Sequence, residues 1–218
     1  MGFKVILFDL DGTLTDPKEG ITKSCQYGLR AVGIDVQDLK ELEQFIGPPL
    51  IPAFQEVYGI TEEQAYIAVD KFRERFGPIG IKENELLDGV PKMLEKLKEE
   101  GRILAVASSK PEPFVRQILA DFGQDHWFDD MIGSTLDEKH AGKSEVIAAA
   151  LARLGIEEMN RDEIIMVGDR LHDVEGAAAH GIRTVGVTFG YGGREELEKA
   201  GAWAVVDTIE ELTDLLCR

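Results

Sequence analysis

The stretch Phe3-Lys4-Val5-Ile6-Leu7-Phe8-Asp9-Leu10-Asp11-Gly12-Thr13-Leu14-Thr15-Asp16 decides the reading of this chain. A short apolar run with the character of a buried strand stops at two aspartates, one residue apart, and then a glycine. Packing gives no reason to end a buried strand in paired carboxylates, because each ionised group taken from water needs a partner or a metal. The pattern points to a cation site at the carboxyl end of a strand, with one carboxylate free for chemistry.

The chain has 218 residues, enough for one large domain or for a core domain with a smaller insert. Its 44% hydrophobic and 30% charged residues describe an ordinary soluble globular protein. No apolar run reaches the length of a membrane span, and no basic-then-apolar leader opens the sequence. The initial Met-Gly is not a myristoylation signal, since Ile6 stands where Ser or Thr is needed. The expected compartment is the cytoplasm. Cys25 and Cys217 lie far apart with no zinc-like spacing, and read as ordinary thiols. Acidic residues outnumber basic ones by 41 to 24, a formal charge of −17, which argues against nucleic acid or an anionic membrane as partner. An anionic substrate would need a local cation and a few placed donors to overcome that field.

Working outward, strand-like segments recur at 102–107, 130–133, 163–168 and 183–187, with a weaker one at 202–206. Helical periodicity fills 90–100, 112–122, 144–154, 174–180 and 194–200, and Gly101, Gly123, Gly155, Gly181 and Gly201 stand just past those helices. Strands alternating with helices over short connections predict an α/β fold, a Rossmann-like doubly wound parallel sheet. From about Asp16 to Lys82 the patterning is only helical. Asp16-Pro17 reads as an N-cap with proline at the first helical position, and Glu19 gives a box-like spacing. Thr61 to Gln64 is a second capping box, and Gly77-Pro78-Ile79-Gly80 is rich in breakers. The expected organisation is an α/β core of 1–15 and 83–218 with an all-helical cap at 16–82, hinged near Asp16 and Gly77–Lys82. Such an insert would lie over the carboxyl ends of the strands, where open α/β sheets bind ligands, and act as a lid.

Further polar clusters fall at strand ends: Ser108-Ser109-Lys110 after the second core strand, and Gly168-Asp169-Arg170-Leu171-His172-Asp173 after the fourth. Lys143 opens the helix before that strand. Parallel strands bring their carboxyl ends together, so Asp9, Asp11, Ser108 and Asp169 should converge on one rim.

These motifs resemble those of the haloacid dehalogenase (HAD) superfamily of phosphatases, in the branch with a helical cap after the first motif. Asp9 to Asp16 is similar to motif one, Ser108 to motif two, Lys143 to motif three and Gly168 to Asp173 to motif four. The tail Gly186 to Leu197 and the cap stretch Gly47-Pro48-Pro49-Leu50 are similar to the phosphoglycolate phosphatase-like subgroup. The resemblance implies a Mg²⁺-dependent phosphatase for a small phosphorylated metabolite, acting as a monomer or homodimer. Asp9 would be the nucleophile, forming an aspartyl-phosphate, and Asp11 the general acid and base. Asp9, the Asp11 backbone carbonyl, Asp169 and Asp173 would hold the metal. Gly12, Ser108, Ser109 and Lys143 would bind phosphate, and Gly47, Pro48, Pro49 and Leu50 would select the leaving group. An Asp at pH 7 is protonated only about once in a thousand, so Asp11 must be raised by its surroundings, with Asp9 the candidate like charge.

Other readings of the same residues are weaker. A calcium loop from Asp9 would place Thr13 and Gly20 at ligand positions. Gly142-Lys143-Ser144 resembles the end of a phosphate loop, but Asp137 stands where its first glycine belongs. Gly190-Tyr191-Gly192-Gly193 resembles a dinucleotide turn, but Glu195 replaces its last glycine, and a structural turn fits better. Ser108 and Asp173 could each merely cap a helix, and Lys110 and Arg170 read as part structural, part field-setting. His126, His140, His172 and His180 are given no catalytic role. A nucleoside 5′-monophosphate or pyrophosphate phosphatase, a sugar-phosphate mutase and a non-catalytic phosphate-binding regulator are the alternatives. The mutase is disfavoured because the cap has no histidine.

Overall fold

In the computed structural model, which describes residues 2–136 and 142–218, the opening stretch forms strand β1 (Val5–Phe8), with all its residues buried. The chain then makes a two-residue strand β2 (Thr15–Asp16) and helices α1 (Lys18–Arg30), α2 (Leu50–Tyr58) and α3 (Glu62–Phe76). A two-residue strand β3 (Glu85–Leu86) and helix α4 (Val90–Glu99) follow. Strand and helix then alternate: β4 (Ile103–Pro111), α5 (Glu112–Asp121), β5 (Asp130–Ser134), α6 (Lys143–Arg153), β6 (Ile164–Gly168), α7 (Leu171–Ala178), β7 (Arg183–Val187), α8 (Gly193–Ala200), β8 (Ala204–Val206) and α9 (Ile209–Leu216). Contacts divide the chain into two units, one of Met1–Thr15 with Leu86–Arg218 and one of Asp16–Glu85.

The first unit holds a six-stranded sheet of order β5-β4-β1-β6-β7-β8, parallel at every pairing. The near-continuous apolar runs of the strands have a simple cause: both faces are covered. On one face Val5, Leu7, Ala105, Ala107, Ile164 and Met166 pack against Val146, Ile147 and Ala150 of α6 and Ala177 of α7. The alternate residues Ile6, Phe8, Leu104, Val106, Ile165 and Val167 are fully buried too. The chain runs outward from β1 to β4 and β5, then crosses back to start again at β6. The strand order therefore switches at the β1–β6 pair, the place where an open parallel sheet leaves a crevice beyond its carboxyl ends.

Besides the short strands β2 and β3, which the sequence reading lacks, three elements differ from it. Strand β4 runs on through Pro111, because the segment stays paired with β5 across a register shift between Ser108 and Pro111. Helix α7 begins at Leu171 rather than Val174, since the Glu196 carboxylate of α8 accepts the Leu171 N–H at 2.8 Å and supplies a cap from another helix. Helix α9 has no counterpart among the periodic segments read from sequence; the Thr208 hydroxyl caps it by accepting the Glu211 N–H.

In the Asp16–Glu85 unit, the Thr61–Gln64 capping box is present with both of its bonds. At the start of α1, Asp16 accepts the Lys18 N–H at 2.9 Å, but Glu19 pairs with Lys23 instead of closing a box. The breaker-rich stretch after α3 lies in a network of hydrogen bonds within this unit. Arg75 holds Glu83 through two nitrogens, at 2.8 and 3.0 Å, and the Gly20 N–H donates to the Glu83 carbonyl. Gly20 and Gly80 meet backbone to backbone, so that a Cβ on Gly20 would lie 2.1 Å from the Gly80 carbonyl oxygen.

Helix α1 approaches α3 as closely at Gly28, where a Cβ would lie 2.3 Å from the Ala68 carbonyl oxygen. Inside a helix, Gly→Ala ordinarily stabilises by about 1 kcal/mol. Gly28→Ala should instead destabilise by roughly 1–3 kcal/mol, the usual cost of overpacking. Urea denaturation checks the sign, and a gain in stability would show that the two helices can part without cost.

Candidate active site

The register of the sheet assembles the site before any side chain is considered. Phe8 of β1 pairs with Val106 of β4 and Val167 of β6. Asp9 therefore emerges level with Ala107 and Gly168, and Ser108 and Asp169 follow one residue on. All three strands point the same way, so these residues share the rim at the switch point. Asp9, Asp11, Ser108, Lys143, Asp169 and Asp173 are all buried. Ser109 is next along β4 and half-buried.

Lys143, the first residue of α6, is the positive centre. Its Nζ donates to the Ala107 carbonyl at 3.0 Å and lies 2.8 Å from Asp9 Oδ1 and 2.8 Å from Asp173 Oδ1. Both carboxylates are at ion-pair distance, but neither Oδ1 receives a well-angled hydrogen bond. Burial alone would discharge this lysine, yet the charges of Asp173 and Asp9 outweigh it and hold the ammonium well above its usual range. Close packing brings it there: a Cβ on Gly176 of α7 would meet Lys143 Cγ at 2.7 Å.

One ammonium serves two carboxylates, and a third carboxylate lies beside them. Oxygens of Asp9, Asp169 and Asp173 come within 4.8 Å of one another. The Oδ1 atoms of Asp11 and Asp169 are buried without a hydrogen-bond donor, and those of Asp9 and Asp173 share the one Lys143 ammonium. Burial, followed by the charges of Asp173 and Asp9, pushes the Asp169 carboxyl well above its ordinary value. Asp173 is also raised, chiefly by burial and against the pull of Lys143. Hard, orphaned carboxylate oxygens with surplus negative charge fit a divalent cation such as Mg²⁺. Asp173 also reaches back to the Arg170 N–H through Oδ2, at 3.1 Å, so it caps α7 while facing the cluster.

The two aspartates of the opening motif part company. Asp11 turns to Lys110, with Oδ2 2.5 Å from Nζ. Burial is the main cause of its raised carboxyl; Lys110 opposes it, and the charge of Asp9 adds a smaller push. The like-charge explanation drawn from sequence is therefore secondary. Between the aspartates, the Leu10 carbonyl gathers the N–H groups of Thr13, Leu14 and Thr15. The Gly12 N–H donates to the Thr15 carbonyl at 2.8 Å. What Gly12 contributes is space and conformation. Its φ is 78°, and a Cβ would lie 2.2 Å from Asp169 Oδ2. Ser108 Oγ accepts the Lys110 N–H at 3.3 Å, which leaves its hydroxyl proton to give.

Gly47, Pro48, Pro49 and Leu50 belong to the Asp16–Glu85 unit, where Pro49 precedes α2 and Leu50 begins it. His180 bonds Ser144, His126 stacks near Trp127, and burial lowers the half-buried His172. His140 and Asp137 lie outside the described residues. Sequence reasoning left two contacts unassigned: Lys110 against Asp11, and the glycine-rich turn after β7, where the Tyr191 N–H donates to Asp169 Oδ2 at 2.7 Å. The repeated glycines at 190, 192 and 193 were the available signal for the second.

Residues 6–187 match the family model described as haloacid dehalogenase-like hydrolase. A 5′-nucleotidase of Pseudomonas aeruginosa is 46% identical over 192 residues, covering 88% of this chain and 86% of that protein. Tyrosine-protein kinase PtkA of Mycobacterium tuberculosis is 38% identical over 216 residues, covering 98% of this chain and 72% of that protein. A crystal structure described as a predicted phosphatase from Clostridium acetobutylicum superposes with a TM-score of 0.94 at 44% identity, over 98% of both chains. With the sheet order, the rim of carboxylates and the buried lysine alongside these matches, the chain belongs to the haloacid dehalogenase-like hydrolase family.

Proposed function

We propose that this chain is a Mg²⁺-dependent phosphatase for a small phosphomonoester, with Asp9 as nucleophile and a nucleoside 5′-monophosphate as the favoured substrate class. The observation that carries the reaction is the division of labour between the two aspartates: Asp9 faces Lys143 among the cation-site carboxylates, and Asp11 stands apart on Lys110. The preference for a nucleotide rests on the 46% identity to a 5′-nucleotidase. Phosphoglycolate, suggested by the tail and cap motifs, is the runner-up. The 16–85 unit would serve as the cap, with Gly47 to Leu50 selecting the leaving group.

An Asp9 oxygen attacks phosphorus as the bond to the leaving oxygen breaks, and Asp11 gives that oxygen its proton. In the second half, Asp11 takes a proton from water as the water oxygen attacks the aspartyl-phosphate, which restores the Asp9 carboxylate and releases phosphate. Burial raises Asp11 in the direction a general acid needs. Lys143 and the Ser108 hydroxyl meet the charge on the transferring phosphoryl oxygens, the main task in this chemistry. A divalent cation held by Asp9, the Asp11 carbonyl, Asp169 and Asp173 would neutralise the same oxygens and the surplus carboxylate charge.

Phosphate release from nucleoside 5′-monophosphates, phosphoglycolate, sugar phosphates, pyrophosphate and an aryl phosphate tests the reading, with a tyrosine peptide plus ATP as control. Turnover should be highest on a nucleotide and fall roughly 10³-fold or more in Asp9→Asn. Unchanged turnover in Asp9→Asn would remove the nucleophile. Transfer to the peptide in place of hydrolysis would shift the reading to a kinase.

Stability against pH gives an independent check. Asp169 and Asp173 are raised in the fold above their ordinary value of 3.8, so the metal-free native state keeps protons that the unfolded chain has lost. By linkage their contribution to stability falls as pH rises above that value, through the raised folded range. Mg²⁺ competes with those protons, so the melting-temperature gain from saturating Mg²⁺ should be larger at pH 7.5 than at pH 5. At a hundredfold excess over its dissociation constant the gain corresponds to about 2.7 kcal/mol. An equal gain at both pH values would place the cation elsewhere.

A further inference from the structure

The reaction scheme uses the loops after β1, β4 and β6 and the start of α6, but a further segment reaches the same carboxylates. After β7 the chain turns at Gly190-Tyr191-Gly192 and enters α8. It fits Asp169 with no room to spare. A Cβ on Gly190 would lie 2.3 Å from Asp169 Oδ2 and 2.5 Å from the Gly12 carbonyl oxygen, and a Cβ on Gly192 would lie 2.3 Å from the Asp169 carbonyl oxygen. In this space the Tyr191 N–H donates to Asp169 Oδ2 at 2.7 Å, while Oδ1 has no hydrogen-bond donor.

The first turn of α8 makes a second tie to the same motif. Glu196 Oε1 accepts the Leu171 N–H at 2.8 Å and Arg170 Nε at 2.9 Å. Those residues open α7, the helix that presents Asp173 to Lys143. One short segment thus fixes one oxygen of Asp169 directly and sets the start of the helix bearing Asp173. Glu196 does not belong to the carboxylate cluster itself.

We propose that residues 190–196 are a positioning clamp for the two candidate cation ligands Asp169 and Asp173, acting through the Tyr191 N–H and the Glu196 carboxylate. This rests on the reading that those aspartates hold a divalent cation. Groups that orient a metal's ligands by hydrogen bonds typically change metal affinity about 10–100-fold when removed. The clamp also explains the glycines: any side chain at 190 would push Asp169 Oδ2 off its donor.

Calorimetric titration of the full-length, metal-free protein with Mg²⁺ tests this, together with melting temperatures in the absence of metal. Glu196→Ala and Gly190→Ala should each weaken Mg²⁺ binding about 10–100-fold. Glu196→Gln, which keeps an acceptor for the Leu171 N–H, should fall between Glu196→Ala and wild type. Affinities within twofold of wild type in Glu196→Gln and Gly190→Ala, with or without a lower metal-free melting temperature, would reduce the segment to a helix cap and overturn the clamp. Should Glu196→Ala fail to fold, the other two variants decide. Wild type that binds no Mg²⁺ overturns both the clamp and the cation reading; wild-type binding with unaltered variants overturns the clamp alone.

Discussion

Three buried carboxylates set against one buried ammonium are the constraint on which the rest of this fold depends. Asp9 and Asp173 share Lys143, and Asp169 lies beside them with its carboxyl raised by burial and by their charges. An ion taken from water without compensation costs several kcal/mol. The fold bears that cost only because the groups are fixed by backbone. Asp9 and Asp169 are placed by strand register, and Lys143 by α6 packing onto α7 across Gly176. At Gly168, a Cβ would overlap the Asp173 carboxyl at 2.2 Å. Replacing buried ion pairs by well-packed hydrophobic residues is often neutral or stabilising, so a cluster of this kind is weak evidence of a role in folding.

The same constraint separates the two aspartates of the opening motif. Had both faced the cluster, the surplus of negative charge would have grown, and the two would have shared one environment rather than two. The gathering of N–H groups on the Leu10 carbonyl curls the chain between them. Asp11 is thereby delivered to Lys110, into a buried setting that favours its protonated form. On the proposed scheme the two aspartates need different environments, and the fold gives one motif both.

Much of this was legible in the sequence because the signals were periodic or terminal. Continuous apolar runs marked strands buried on both faces, as at Val5 to Phe8 and Ile164 to Val167. The stop glycines, from Gly101 to Gly201, all take positive φ. Polar clusters at strand ends located Asp9, Ser108 and Asp169. What could not be read were contacts between residues distant in the chain. Lys110 and Asp11 are 99 residues apart, and Glu196 caps a helix 25 residues earlier. Neither leaves a pattern in its own neighbourhood. One local reading failed because a neighbouring side chain took the group it relied on. Glu19, whose spacing suggested a capping box, pairs with Lys23 one turn along the same helix.

The overall charge of −17 makes the site's job harder only at long range. At physiological salt the Debye length is about 8 Å, so carboxylates across the surface are largely hidden from an approaching phosphate. Inside the rim the balance is set by groups within a few ångströms. Screening is weak there, and the local dielectric strengthens every pair. Lys143, 2.8 Å from Asp9, lies at that range, as would a divalent cation held by the clustered carboxylate oxygens. An acidic surface and a phosphate site are therefore compatible. The surface repels anions generally, and only one that reaches the rim, offers its oxygens to the lysine and the cation, and loses its water there recovers the cost of approach.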